Sequence, residues 1–406
     1  MNILIINQPP YNRGDESAHK ALIRELLKRL PDCKIHVLSD VTLSESVRQY
    51  RIVDERVDYL TCPIAYGKAS KYREQGMKKD KMLPWYFNMY FRQYKGYYYW
   101  ADVVVCAPGG ICMGGFQDWN HLFHLVLAKF FKKPLAYYGR SFGPFPEETE
   151  LNRRFKELSL RMLHYFDFLA IRDHKTELLA EELKIPYIST VDTAFLDSPM
   201  VKIPYEINSA IGTSPYVVFV PNYLLWHYVY KGKVRHEQIM SFYLRILKDL
   251  LDTYEDCNVV MLPQLFCGRK YELSDVEFFR DLAEEANTSR IIVLPDCYSS
   301  DIQQQLINGA KFLIGSRYHS IVFAINQCVP FVALSYEHKI AGLLDTIGLS
   351  ERCVDIVETF NSKVNEENTL NSIHEKMMIR TRPTEARLKA KSIASECMNK
   401  FIEKFK

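Results

Sequence analysis

Short runs of β-branched and apolar residues alternate with longer amphipathic stretches along almost the whole chain, and this alternation constrains the fold more than any other feature. Candidate strands in the first half are 3–7, 34–38, 103–107, 135–138, 168–171 and 187–191, with helical spacing over 17–30, 122–131, 152–165 and 175–183. A continuous apolar run suits a strand buried on both faces, as in a parallel sheet covered by helices. A loop at about 198–215 interrupts the pattern. It restarts with strands at 217–220, 259–262, 291–294, 312–314 and 331–334, and helices at 239–254 and 275–286. At 406 residues the chain exceeds the size at which single cores stop growing. Two α/β domains are therefore expected, at 1–200 and 213–380. A final helix within 384–406 carries Ala390, Ala394, Met398, Phe401 and Phe405 on one face. Either it covers the second domain or it crosses back to the first. Residues 361–383 read as a polar, weakly structured linker.

In open α/β sheets, ligands sit outside the carboxyl ends of the strands. At one such end the apolar run Lys311-Phe312-Leu313-Ile314 gives way to Gly315-Ser316-Arg317-Tyr318-His319-Ser320. Arginine grips a carboxylate or phosphate through a planar fork, and histidine moves a proton near neutral pH. At the next strand end, Ser335-Tyr336-Glu337-His338-Lys339 follows Phe331-Val332-Ala333-Leu334, and Lys339 supplies a second cation. Two cations and a histidine at neighbouring strand ends suit an anionic substrate and a proton donor.

Further motifs precede these in order. They are Asn12-Arg13-Gly14-Asp15-Glu16, Pro108-Gly109-Gly110, Gly139-Arg140-Ser141-Phe142-Gly143-Pro144, Arg172-Asp173 and Asp192-Thr193-Ala194-Phe195, closing with Ser316, Arg317 and His319. None is specific alone, but the ordered set resembles the polysaccharide pyruvyl transferase family over nearly the whole chain. Arg140 stands where glutamine is more usual in that family, and Thr193 where proline is.

The resemblance implies a GT-B-like fold, two Rossmann-like domains facing each other across a cleft. It also implies a reaction, transfer of pyruvate from phosphoenolpyruvate to a glycan sugar as a ketal, with phosphate released. The expected acceptor is a galactose, or related hexose, with free 4- and 6-hydroxyls, on a surface polysaccharide such as a capsule or on its lipid-linked precursor. On this reading His319 is the acid that protonates the methylene carbon. Arg317, Lys339 and Ser316 bind phosphoenolpyruvate. Arg172 either joins them or pairs with an acid such as Asp173. Asn12 and Asp15 face the acceptor, with Gly110 letting backbone approach it and Asp118 as a further contact. Asp15 has a second reading, as the cap of a helix beginning near Ser17. No cofactor is expected beyond the donor substrate itself.

Composition narrows the alternatives. The balance of 52 basic and 49 acidic side chains leaves +3, too little for a nucleic-acid binder. Ten cysteines show no CxxC pair or zinc spacing, so no metal is expected; His121 and His124 share a helix face but lack a completing carboxylate. The N-terminal run is too short for a signal peptide, no apolar stretch spans a bilayer, and a cytoplasmic protein is expected. Between Met82 and Trp100 lie ten aromatic residues, after a basic stretch with Lys68, Lys71, Arg73, Lys78, Lys79 and Lys81. This insertion, about 68–100, either docks on the inner face of the plasma membrane or packs its rings against protein. Two rival functions remain: a nucleotide-sugar-dependent glycosyltransferase on the same scaffold, and a non-catalytic glycan-binding protein.

Overall fold

The computed structural model of the chain describes residues 1–8, 12–39, 51–62, 88–110, 112–227, 229–265, 274–295 and 298–406. It divides into two compact units. The first comprises Met1–Pro10, Asp15–Asp197 and Ser392–Lys406, the second Tyr11–Gly14 and Ser198–Lys391.

The first unit is built on strands β1 (Asn2–Ile6), β2 (Lys34–Ser39), β3 (Val57–Thr61), β4 (Val103–Cys106), β5 (Leu135–Arg140), β6 (Phe168–Ile171) and β7 (Ile188–Ser189). They form one parallel sheet in the order β3-β2-β1-β4-β5-β6-β7. Every residue of β4, Val-Val-Val-Cys, is buried, as a strand covered on both faces requires. The helices are α1 (Arg13–Arg29), α2 (Asn88–Trp100), α3 (Trp119–Phe130), α4 (Glu150–Leu163) and α5 (His174–Glu182). Short polar side chains start them: Thr149 Oγ1 accepts from the Asn152 amide at 3.1 Å, and Asp173 Oδ1 from Thr176 at 3.0 Å. The order reverses between β1 and β4, which places a ligand crevice of this topology at Asn7 and at the Pro108–Gly110 turn.

The second unit repeats the plan with strands β8 (Tyr216–Val220), β9 (Asn258–Met261), β10 (Ile291–Val293), β11 (Leu313–Gly315), β12 (Phe331–Ser335) and β13 (Cys353–Asp355), ordered β10-β9-β8-β11-β12-β13 and all parallel. Its helices are α6 (Tyr205–Ile211), α7 (His236–Thr253), α8 (Asp275–Ala286), α9 (Ser300–Asn308), α10 (Tyr318–Asn326), α11 (His338–Ile347) and α12 (Lys363–Met377). The reversal falls between β8 and β11. Ser316 and Arg317 therefore stand at the crevice end of the strand next to the switch point.

A last helix, α13 (Thr384–Phe405), is continuous, with residues to Lys391 grouped in the second unit and those from Ser392 in the first. Its Phe401 ring lies 5.5 Å from Tyr138 and 5.4 Å from Phe168, edge-on to both.

The structure departs from the sequence reading in three places and, in the aromatic insertion, bears out the packing reading for Tyr94 and Tyr98. Residues 361–383 are not a linker: they hold α12, capped by Ser362, with Thr369, Ile373 and Met377 buried at four-residue spacing. That stripe is too narrow to stand out in a polar stretch. Edge strands β3 and β13 were not anticipated, because a half-exposed edge lacks the continuous apolar signature. Helix α1 starts at Arg13 rather than near Ser17. In the aromatic insertion, Tyr94 and Tyr98 are buried in the first unit's core, where Tyr98 stacks on Phe131 at 5.3 Å. The basic stretch before them, and Trp85, Tyr86 and Phe87, lie outside the described residues.

Candidate functional site

The second unit gathers most of the expected donor-site residues. Ser316 directly follows β11, with its amide on Val220 O at 2.9 Å; its hydroxyl lies 3.3 Å from the same oxygen and 3.4 Å from the Tyr243 hydroxyl. This Ser316 is fully buried and knits β8, β11 and α7 together. Arg317 follows, its guanidinium paired with Asp275, the first residue of α8. The Asp275 carboxylate is itself fixed, accepting from the Gln264 and Leu265 amides at 3.0 Å each. Burial works against the Arg317 charge, but Asp275 outweighs it and raises the guanidinium pKa. A permanently charged fork is thus held in one orientation.

His319 lies in the first turn of α10, where unpaired amides and the helix dipole favour an anion. The segment 12–14 packs against it. Asn12 forms an antiparallel bridge with Leu265, and the Arg13 amide donates to Gln264 O at 2.9 Å. A β-carbon on Gly14 would stand 1.9 Å from His319 Nδ1, so this motif position admits only glycine with the imidazole where it is. Asn12 Oδ1 accepts from the Gly14 amide at 2.8 Å. The residue capping α1 is therefore Asn12. Asp15, which the sequence offered as a cap, lies inside the helix because α1 begins two residues before it.

Lys339 belongs to the neighbouring strand end, in the first turn of α11, 3.3 Å from Glu337. Glu337 also lies 3.8 Å from His227. Burial alone would raise the Glu337 carboxyl, yet His227 and Lys339 overcome it and hold its pKa at about 2. Lys339 is thus tethered to a carboxylate that stays ionised.

The first unit holds the other candidates. Arg172 pairs with buried Asp192, not with its neighbour Asp173, whose carboxylate starts α5 instead. Asp118 starts α3, its Oδ1 accepting from the Asn120 and His121 amides at 3.0 Å each. Gly110 offers its carbonyl to Arg140 Nε at 3.2 Å, and Asn7 offers its carbonyl to Arg140 Nη1 at 3.3 Å. Arg140 is fully buried and ties together the ends of β1, β4 and β5, with no carboxylate partner among the described residues. Burial, then the nearby Arg140 charge, push the His121 imidazole well below its ordinary range, so it is neutral. No group of three or more potential metal ligands occurs among the described residues.

Sequence reasoning missed Asp275, Glu337 and Arg140 as supporting residues. An acid opening a helix is ordinary, so nothing local distinguishes Asp275 from any other first-turn acid. Only the topology brings it to Arg317. Chemically, the second unit's cluster combines a rigid guanidinium, a tethered ammonium and an imidazole at a helix start, a set suited to binding an oxyanion and moving a proton.

A family model for polysaccharide pyruvyl transferases matches residues 12–338. The chain belongs to the polysaccharide pyruvyl transferase family. Membership makes it an enzyme, a pyruvyltransferase of polysaccharide biosynthesis. The matched span begins at Asn12, the α1 cap, and takes in the whole Ser316–His319 run. Across the chain's length, the family member is also similar to the amylovoran biosynthesis protein AmsJ of Erwinia amylovora, 24% identical over 392 residues and covering 90% of each chain. Among solved structures, the UDP-GlcNAc 2-epimerase of Methanocaldococcus jannaschii aligns with TM-score 0.55 at 11% identity, over 99% of this chain and 100% of that one. The trehalose 6-phosphate synthase of Burkholderia multivorans aligns with TM-score 0.55 at 12% identity, over 99% and 97%. These likenesses show the fold alone. It is GT-B-like, made of two Rossmann-like units.

Proposed function

We propose that this pyruvyltransferase takes its pyruvate from phosphoenolpyruvate and places it as a ketal on a hexose, galactose through its 4- and 6-hydroxyls, of a surface polysaccharide or its lipid-linked precursor. The observation that carries the reading is the Asp275-fixed guanidinium of Arg317 beside His319 at the crevice end of β11, in the second unit. Arg317 and Lys339 hold the donor's carboxylate and phosphate, and charge gathering on the departing phosphate meets those cations. His319 gives a proton to the terminal methylene, which becomes the methyl group. C2 then forms bonds to two hydroxyl oxygens and its bond to the phosphate oxygen breaks. Of the two hydroxyl protons, one restores His319 and the other leaves with phosphate, so the step balances without a cofactor.

The test mixes purified protein with phosphoenolpyruvate and a panel of β-galactosides, including a lipid-linked one, and measures phosphate together with product mass. A product heavier by one pyruvate ketal, matched mole for mole by phosphate, is expected. His319→Ala should abolish it while still binding phosphoenolpyruvate; Arg317→Ala should weaken binding itself. Phosphoenolpyruvate that is not consumed with any acceptor and does not stabilise the protein against heat would overturn the donor assignment. Consumption of a UDP-sugar instead would point to nucleotide-sugar chemistry.

A further inference from the structure

The second unit carries a cavity of about 430 Å³ at the opposite end of its sheet from Ser316 and Arg317. Two corners that lead into neighbouring strands frame it: 308–311 enters β11, and 327–330 enters β12. Arg380 and Arg382, from the stretch between α12 and α13, complete the lining. Lys311, Arg380 and Arg382 are its charged side chains, and no acid lines it. The volume falls in the range of small-molecule sites.

Three further observations give this cavity the character of an anion site. The Arg380 guanidinium lies 4.4 Å from the centre of the Tyr254 ring and 5.4 Å from that of Phe312. Such stacking orients the planar fork while leaving its N–H donors unused. Neither Arg380 nor Arg382 pairs with a carboxylate of the described residues. The amide nitrogen Nε2 of Gln327 is buried and donates to nothing among them, and a buried donor left unmet is unfavourable. Opposing charge is smaller. Lys311 pairs with exposed Asp256 at 2.6 Å, and the ends of α9 and α10 contribute roughly half a negative charge each. About one positive charge remains in excess, together with a surplus of donors.

We propose that this cavity binds a phosphate monoester, a small molecule whose dianionic head group sits on Arg380, Arg382 and Lys311. Two planar forks and an ammonium match a tetrahedral group with three free oxygens better than a single carboxylate. Gln327 Nε2 supplies a further donor, and the apolar corners Ala310 and Val329–Pro330 receive the organic body. The site is independent of the proposed donor site, since none of its residues belongs to that one. The head group is borne either by a soluble metabolite or by a phosphomonoester lipid, and the chemistry is common to both.

Isothermal titration of the full chain with inorganic phosphate and with glucose 6-phosphate tests this in three proteins: wild type, Arg317→Ala, and Arg380→Ser/Arg382→Ser. Both replaced arginines are exposed, and an unchanged melting curve checks that the double variant is folded. The double variant should bind glucose 6-phosphate at least about tenfold more weakly, one charge-assisted contact or more being lost. Arg317→Ala should leave that binding intact. Equal affinity and stoichiometry in wild type and the double variant would overturn the site. So would the absence of binding in wild type, or loss of all binding in Arg317→Ala. Sedimentation with phosphatidate vesicles, present in wild type and lost in the double variant, would assign the head group to a lipid. Glucose 6-phosphate binding without sedimentation would assign it to a soluble phosphate.

Discussion

A β-carbon added at Gly14 would overlap the His319 ring, with the nearest atom 1.9 Å away. Gly14→Ala should therefore displace the imidazole rather than unfold the chain. A shift of about 1 Å at a reacting group lowers turnover on the order of a hundredfold, so phosphate release slowed by about that factor, with an unchanged circular dichroism spectrum, is the expected result. Wild-type turnover by Gly14→Ala would contradict the role given to His319. The pair also shows what a sequence discloses at this scale. Arg317 and His319 are visible because they stand just past an apolar run, and their chemistry follows from their side chains. That Gly14 belongs beside His319, or Asp275 beside Arg317, depends on contacts 305 and 42 positions apart, and no local pattern encodes them. A different single residue contributes to acid behaviour. His19 is buried, neither ring nitrogen has a hydrogen-bond partner among the described residues, and burial followed by the Lys20 charge lowers its pKa to about 3. The unfolded chain binds this proton from about pH 6.5 downward while the folded one refuses it, so stability is full above that pH and falls below it. The loss amounts to about 1.4 kcal/mol per pH unit until about pH 3. Urea unfolding from pH 7 to 4 should show a shallower decline in His19→Leu than in wild type; parallel curves would remove His19 as the cause.

Among the elements, those with continuous apolar runs were legible, edge strands β7 and β10 included, while edge strands β3 and β13 were not. β4 and β12 announce themselves because both faces are covered. β3 interleaves polar residues with apolar ones and β13 is Cys-Val-Asp, so neither rises above a loop by composition. Helix α8 was read to its observed limits because its apolar spacing and acidic first turn agree; α12 was lost because its buried stripe is short. The second half of α13 belongs to the first unit through Phe401, which is fully buried against Tyr138 and Phe168. Phe401→Ala should lower stability by about 3–5 kcal/mol. Hydrogen exchange should then show faster exchange in β5 and β6 than in β11 and β12. Equal acceleration in both sheets would mean that the ring does not act locally.

At the scale of the molecule, the proposed donor-site residues Ser316, Arg317, His319 and Lys339 all fall in the second unit, and so does the acceptor candidate Asn12, which comes from the far end of the chain. Phosphoenolpyruvate at about a hundred times its dissociation constant should add about 2.7 kcal/mol of stability. Exchange protection should concentrate in 12–14, 316–326 and 335–343. Arg317→Ala should lose both effects, while His319→Ala should keep most of each. Protection confined to β1–β7 would place the donor elsewhere.

The division of α13 between the two units also sets an order of events on the ribosome. β1, a strand interior to its sheet, is translated before nearly all of the second unit, yet the aromatic cover for Tyr138 and Phe168 is translated after it. Apart from residues near Asn12, the second unit is one uninterrupted stretch and can assemble while the first still waits for residues 392–406. The first unit is thus begun before the second and completed after it, and a nascent chain stalled near residue 391 should expose an unfinished hydrophobic face to chaperones even after its other sheet has formed.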